Sequence, residues 1–452
     1  MGGRMRFTRI PARAGIVALA LVACAGVCLA RGSKDIDPNW LALTDCPGEP
    51  GCPAIVLLDE TDLSNDSARA RMSRKRVIKL FTQRGIDEHA DVEVIETLGY
   101  EECRDLGGRT ILPDGRNIRV KQENIFVKPA YKKGTRRLRV KAAKFPGVVP
   151  GAIIEYSYDL IDPRVSEYRE WTWRIQDDVP VLKAHLTLRP GDVQLGWMAA
   201  GLEKSRIVHT HPYTMVHYFD AENLPSLPHE PFAPPVEELR TRLYLFRPED
   251  QAFWMGSLAA RIAWGAGKFL DKSLGIPEKV KELVPSEDPP IEKVRRIYQF
   301  VQERIGTEEE RSGRREKQDV KEAEDVGEVL KRGYGNDFER TMLFLAMVRE
   351  TGLPHGVLVM AERRDVILIT DAPDEDQFET YAAAVKVDAG WAFYDPSVKH
   401  CPFGMASWYK EGGVPNAMLI TPQKQPPPIV ARTFEEQVGA LIRPSRPKAP
   451  YQ

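Results

Sequence analysis

Seven consecutive apolar residues, Met342 to Val348, stand out in a chain whose other hydrophobic runs, apart from one near the N-terminus, are shorter or alternate with polar positions. Both ends of this run are signposted as those of a helix. Asn336 is placed to cap it, Glu339 three residues later can bond back to the cap, and Gly352 followed by Pro354 is a stop signal. Charged residues lie only near the ends, so the pattern predicts a helix wet on no side and buried against a sheet. Its first turn, entered through Gly333-Tyr-Gly335, presents unpaired N–H groups and a positive dipole end. Proteins use such a place to lower a thiol's pKa or to hold an anion. Here it carries Asp337.

Upstream the period is that of strands. Val92 to Val94 alternates, Arg109 to Val120 holds a turn at Pro113-Asp-Gly115 between two β-prone runs, Arg137 to Lys141 alternates again, and Ala152 to Tyr158 is apolar and β-branched. Residues 54–246 therefore read as an antiparallel, sandwich-like β domain. After a proline-rich crossing at Pro228 to Pro235 the chain turns helical over Gln251 to Leu270. A clearer helix follows over Ile291 to Ile305, opened by Pro289-Pro290 and closed by Gly306. Thr307 to Asp325 mixes both charge signs and reads as a solvated loop or exposed helix.

Beyond the buried helix, strands are expected at Gly356 to Met360, Val366 to Thr370, Tyr381 to Val387 and Trp391 to Tyr394. The last two are joined by a hairpin at Asp388-Ala-Gly390. Residues 247–421 then form an α+β domain, and the proline-bearing residues 422–452 an extended tail. The fold class is multidomain, an antiparallel β domain followed by an α+β domain.

Length and composition, 452 residues with 42% hydrophobic and 29% charged, are those of an ordinary globular protein of two or three domains. The first residues differ. Arg4, Arg6, Arg9 and Arg13 precede the apolar run Ala14 to Ala23, the pattern of an export signal. Leu21-Val22-Ala23-Cys24 resembles the bacterial lipobox, which implies a signal peptide over residues 1–23, a lipid on Cys24 and a protein held on a membrane face toward the periplasm or cell surface. Ordinary secretion with cleavage near Ala30 is the alternative. Residues 24–53, broken by Gly and Pro, read as a tether.

Removing residues 1–23, which hold four arginines and no acid, takes the formal charge from −1 to about −5. On that balance no basic stripe is expected, and no nucleic-acid partner. Cys46 and Cys52 flank a Pro-Gly-Glu-Pro-Gly turn and can pair as a disulfide. Cys28, Cys103 and Cys401 show no partner by spacing. His209, His211 and His217 can meet across a hairpin at Pro212-Tyr213, but a structural zinc site needs a fourth ligand and none is evident, so no metal or other cofactor is expected.

Two stretches resemble known families. Pro113-Asp-Gly-Arg116, Phe145 to Tyr156, Trp173 to Val181 and Leu224 to Pro231 together resemble a bacterial domain of unknown function that precedes transglutaminase-like domains in envelope proteins. Gly335 to His355 resembles, without a gap, the stretch of bacterial transglutaminase-like domains that usually reads Gly-Asp-Cys-Lys-Asp-Lys before a buried apolar helix and Gly-Ile-Pro. The resemblance implies a papain-superfamily core and a triad of cysteine, histidine and aspartate. The cysteine's position is held by Asp337, the histidine's by Thr380 and the orienting aspartate's by Asp395.

A carboxylate at a helix N-terminus is stabilised as an anion and is a poor nucleophile, and threonine does not shuttle protons at neutral pH. The expectation is a pseudoenzyme that binds a protein or peptide in the old substrate cleft. The alternative is an active envelope hydrolase or transamidase, using Asp337 and Asp395 as a carboxylate pair or a relocated nucleophile such as Cys401 beside His400.

Overall fold

A computed structural model of the chain describes residues 36–66, 69–133, 136–162, 171–191, 194–210, 216–228, 233–307, 310, 322–362, 369, 371, 372, 374, 377, 378, 380–387, 390–407, 410, 417–422 and 439–442. From Asn39 on the chain folds as one unit. Its first half is built on an eight-stranded sheet, in the order Val208–Thr210, His217–Leu224, Val181–Arg189, Ala54–Asp66, Arg69–Leu80, Ile153–Asp162, Glu102–Ile111, Asn117–Arg119. All pairs are antiparallel except Ala54–Asp66 with Val181–Arg189, which is parallel, so the sheet is mixed. Two three-stranded sheets accompany it. One orders Asp91–Thr97, Arg136–Lys144, Ile125–Lys133, and the other Gly196–Ala200, Arg242–Phe246, Trp171–Arg174. The turn expected at Pro113-Asp-Gly115 joins two paired strands, with Gly115 at φ +84°, a conformation that costs glycine little.

Alternation decides which faces are buried. Val92 and Val94 point inward while Asp91, Glu93 and Ile95 point out, and the core gathers residues such as Val56, Ile78, Ile154, Leu186 and Phe219 from successive strands. The sheet interior also holds charge. Arg74 pairs with Asp59 at 2.5 Å, and Arg76 reaches both Asp59 and Asp177.

The second half is organised by the helix Asp337–Glu350, hereafter the central helix. Asn336 and Glu339 form the capping box the sequence predicts, and every residue from Glu339 to Val348 is buried. The helices Pro248–Asp271, Ile276–Leu283, Pro290–Arg304 and Val326–Arg332 pack around it, with the strands His355–Met360 and Thr380–Val387. Those two strands sit in a five-stranded antiparallel sheet ordered Gly390–Tyr394, Thr380–Val387, His355–Met360, Ala417–Ile420, Gly439–Ile442. The molecule is thus a mostly β domain followed by a helical α+β domain. Tyr244 and Phe246 of the first pack with Ala372 of the second.

Three expectations are corrected. Residues 39–53 do not behave as a bare tether. The Leu41 carbonyl accepts from the buried Lys79 ammonium at 2.9 Å, Glu49 accepts from the Ser226 amide and hydroxyl, and the sulfurs of Cys46 and Cys52 meet with Cα atoms 5.9 Å apart. The tail from 422 is not wholly extended, because Gly439–Ile442 pairs with Ala417–Ile420 and adds an edge strand. The expected absence of any basic stripe also fails locally, since residues 125–144 carry Lys128, Lys132, Lys133, Arg136, Arg137, Arg139, Lys141 and Lys144 and no acid. Of the strand expected at Val366 to Thr370 only Ile369 is described, and it lies outside any strand. Most of Thr307 to Asp325 lies outside the described residues.

Glu339 is the charge on which entry to the central helix turns. It is buried and accepts from the Asn336 and Ala323 amides at 2.9 and 2.6 Å and from the Arg332 guanidinium. Glu339→Ala strands these donors and is expected to destabilise the protein by about 3 kcal/mol, against about 1 kcal/mol for Asn336→Ala. Urea denaturation of both variants checks this order, which an equal or smaller loss for Glu339→Ala would reverse.

Candidate active site

The positions named from the family resemblance lie on the first turn of the central helix and at the ends of two neighbouring strands of the five-stranded sheet. Asp337 is the helix's first residue and is exposed, and Gly335 just before it lies so close that an added Cβ would come 3.0 Å from the Glu339 side chain. Phe338 turns inward against Phe269 and Tyr381, with ring centroids 5.4 and 5.2 Å apart. This contact brings the helix start to the beginning of the strand Thr380–Val387, where Thr380 is buried and paired with Met360. Asp395 directly follows the neighbouring strand and has no exposed surface.

The surroundings of Asp395 are those of a fixed anion. One carboxylate oxygen accepts from the Ser397 hydroxyl at 2.6 Å and the Lys410 ammonium at 3.1 Å, and the other accepts from the Ser407 amide at 3.3 Å and the Ser407 hydroxyl. Lys410, equally buried, also donates to the Tyr381 carbonyl at 2.8 Å and the Ser397 hydroxyl at 2.9 Å. A cation therefore bridges Asp395 and the strand that starts at Thr380. Burial alone would push the Asp395 carboxyl up, yet Lys410 and the two serine hydroxyls outweigh it and hold the group below the usual carboxylate range.

The loop after Asp395 is clamped from the helix side. Tyr298 donates to the Cys401 carbonyl at 2.6 Å and to the Asp395 carbonyl at 3.2 Å. Gln302 donates to the Val398 carbonyl at 2.8 Å and accepts from the His400 amide at 3.0 Å. Arg340, fully buried in the second turn of the central helix, donates to the Ser397 carbonyl at 2.5 Å while its Nε has no partner among the described residues. Burial lowers its pKa, against the pull of Asp337, Glu310 and Asp395. Burial likewise pushes the Tyr298 hydroxyl far up, which keeps it a neutral donor.

The other candidates lie apart from this constellation or outside the described residues. Cys401 is a buried thiol in the clamped loop, its sulfur 3.5 Å from the Met405 carbonyl, and His400 beside it has a backbone φ of +62°. His209 and His217 face each other on paired strands with ring nitrogens 3.1 Å apart, while His211 lies outside the described residues. Among the described residues no three His, Cys, Asp or Glu side chains converge as a metal site. Cys24 and Cys28 also lie outside them. Among the described residues no helix is long and apolar enough to cross a membrane.

Sequence reasoning missed Lys410, Ser397, Ser407, Arg340, Tyr298 and Gln302. The Pro-Ser after Asp395 and the Arg in the second helical turn were visible, but nothing in the spacing tied Lys410 to Asp395.

Removing Lys410 leaves a buried carboxylate without its cation, so Lys410→Met is expected to destabilise the protein by about 3–5 kcal/mol. Lys410→Met with Asp395→Asn should recover much of that loss. Because the Asp395 pKa is depressed in the folded state, its contribution is present above about pH 4 and fades as pH falls through the folded pKa. Urea unfolding of the two single variants and the double variant between pH 3 and 7 checks both statements, and additive losses at pH 7 would contradict them.

Comparison with known families agrees with the two-domain division. Residues 66–228 match DUF3857, a domain of unknown function with solved structures, and residues 277–396 match the transglutaminase-like superfamily. No curated protein matches the chain. Among solved structures, the crystal structure of a "putative protease" from Parabacteroides distasonis aligns with a TM-score of 0.61 at 16% identity. The alignment covers 87% of this chain and 72% of that one, and at this identity it speaks to fold alone. Two others align only partially and carry no argument. Rad4–Rad23 bound to a 6-4 photoproduct lesion has a TM-score of 0.23 at 16% identity over 38% of this chain and 46% of that one. Native leukotriene A4 hydrolase from Saccharomyces cerevisiae has a TM-score of 0.23 at 8% identity over 43% and 29%. The chain is thus a DUF3857 domain followed by a transglutaminase-like domain.

Proposed function

We propose that this is a lipid-anchored protein of the bacterial envelope whose transglutaminase-like domain binds a protein or peptide partner in the old substrate cleft without turning it over. The observation that carries the reading is the saturation of Asp395. A triad aspartate orients an imidazole by accepting its N–H, but here four donors already occupy the two carboxylate oxygens, among them an ammonium. Thr380 offers a hydroxyl where the family's imidazole would stand, and Asp337 offers an anion that the helix dipole stabilises rather than activates.

The same bonding speaks against the carboxylate-pair alternative. A general acid or base must exchange a proton with substrate, and Asp395 is sealed and held in its charged form. Attachment to a membrane rests on the sequence of residues 1–24, with Cys24 as the acylated residue.

Two measurements test the proposal. Incubated with a labelled primary amine and glutaminyl peptides, or with peptides alone, the protein is expected to give no transamidation or hydrolysis above background. Turnover that disappears in Asp337→Ala would refute the non-catalytic reading. Mass spectrometry of the mature N-terminus is expected to find a diacylated Cys24, and an unmodified start near Arg31 would end the anchoring claim.

A further inference from the structure

The strands Ile125–Lys133 and Arg136–Lys144 pair antiparallel into a hairpin whose outer strand is the edge of its sheet. Its twenty residues, 125–144, hold eight lysines and arginines and no acid, in a chain whose overall formal charge is −1. By register Lys132 stands opposite Arg137 and Lys133 opposite Arg136, so four basic residues occupy the last two described rungs. The neighbouring strand supplies some compensation, Glu93 to Lys128 and the buried Glu96 to Arg139, and leaves the sheet with a basic excess.

The same hairpin exposes large apolar side chains. Phe126 is 44% and Val127 56% exposed on opposite faces of the edge strand, and Ile95, 50% exposed, shares the Phe126 face across the sheet.

Lysine and proline on an edge strand protect it from pairing with other chains, and this accounts for Lys128 and Pro129. It does not account for Arg137 and Lys144 on the inner strand, where Arg139 is engaged within the domain by Glu96 and Lys141 by the Cys103 carbonyl at 3.0 Å. Nor does it account for exposing Phe126, Val127 and Ile95, which edge protection would avoid. Basic side chains interleaved with an exposed aromatic and branched aliphatics suit a polyanionic surface with an apolar layer behind it, and a bilayer with anionic headgroups is such a surface. There lysine and arginine meet phosphate, and the apolar side chains enter the interface.

We infer that the hairpin of residues 125–144 is a second membrane contact, docking the DUF3857 domain on anionic phospholipid. The choice of a bilayer over another polyanion rests on the lipid-anchor reading above, because a protein acylated at Cys24 is already held beside one. The acyl chains on Cys24 hold the protein at the bilayer, and a basic patch beside them sets which face of the DUF3857 domain meets the headgroups.

The test uses the mature chain, residues 24–452 carrying Cys24→Ser so that neither signal segment nor acyl group contributes, sedimented with vesicles of phosphatidylglycerol or of phosphatidylcholine. Binding to phosphatidylglycerol is expected to be at least about tenfold tighter and to weaken steeply as salt rises from about 50 to 500 mM. Lys132→Glu, Lys133→Glu and Arg136→Glu together are expected to lower it by about two orders of magnitude. Phe126→Ser with Val127→Ser is expected to remove the binding that survives high salt.

Equal sedimentation with both lipids, binding indifferent to salt, or full binding by the charge-reversed protein overturns the inference. Tighter binding to duplex DNA than to phosphatidylglycerol at the same salt assigns the hairpin to another polyanion and overturns it as well. The salt titration needs no change in the hairpin, so a hairpin substitution that disturbs folding does not blunt the test. Acylation of Cys24 is read separately by mass spectrometry, and a missing lipid there is distinguishable from a failure of the hairpin to bind.

Discussion

The ion pair between Asp395 and Lys410 is the interaction on which the site depends. Two opposite charges with no exposed surface are stable only if their remaining hydrogen-bonding capacity is met, and here Ser397, Ser407 and the Tyr381 carbonyl meet it. Ser397 and Ser407 tie the loop from 395 to 407 to the Asp395 carboxylate, and separate bonds from Tyr298, Gln302 and Arg340 to its backbone carbonyls hold it against the helices. A carboxylate that serves as such an anchor cannot also be the adjustable partner of an imidazole. The structural role of Asp395 thus occupies the acceptor sites that orienting an imidazole would need.

The central helix shows how a buried element manages its ends. Its middle needs only apolar neighbours, which four helices and two strands supply. Its first two turns have to satisfy free amides and bury Glu339 and Arg340. The capping box with Arg332 does the first, and the Ser397 carbonyl serves the guanidinium in part. The helix starts beside a sheet, with the Asp337 carboxyl group exposed in its first turn.

Much of this was legible in the residues. The central helix, both of its caps, the helix opened by Pro289-Pro290 and the hairpin before Trp391 follow from period and punctuation, which are local properties. What was not legible is non-local. Lys410 comes from a loop fifteen positions after Asp395, and no period links the two. The strand Gly439–Ile442 is four residues long amid prolines, too short to announce itself before its partner is known. Residues 39–53 dock through a few polar contacts, at Lys79 and Ser226, rather than through an apolar face. The basic hairpin disappeared into a net charge near zero because acids elsewhere cancel it in the sum, though not in space.

The central claim is that no proton-transferring group stands ready beside the start of the central helix. The most direct measurement restores the thiol alone and asks whether chemistry returns. For Asp337→Cys, amine incorporation into glutaminyl peptides and the pH dependence of thiol alkylation are followed together. The account predicts a thiol whose reactivity follows a single ionisation set by the helix N-terminus, with no turnover. Multiple turnovers by this single variant would mean that a working base is already in place, and would contradict the account.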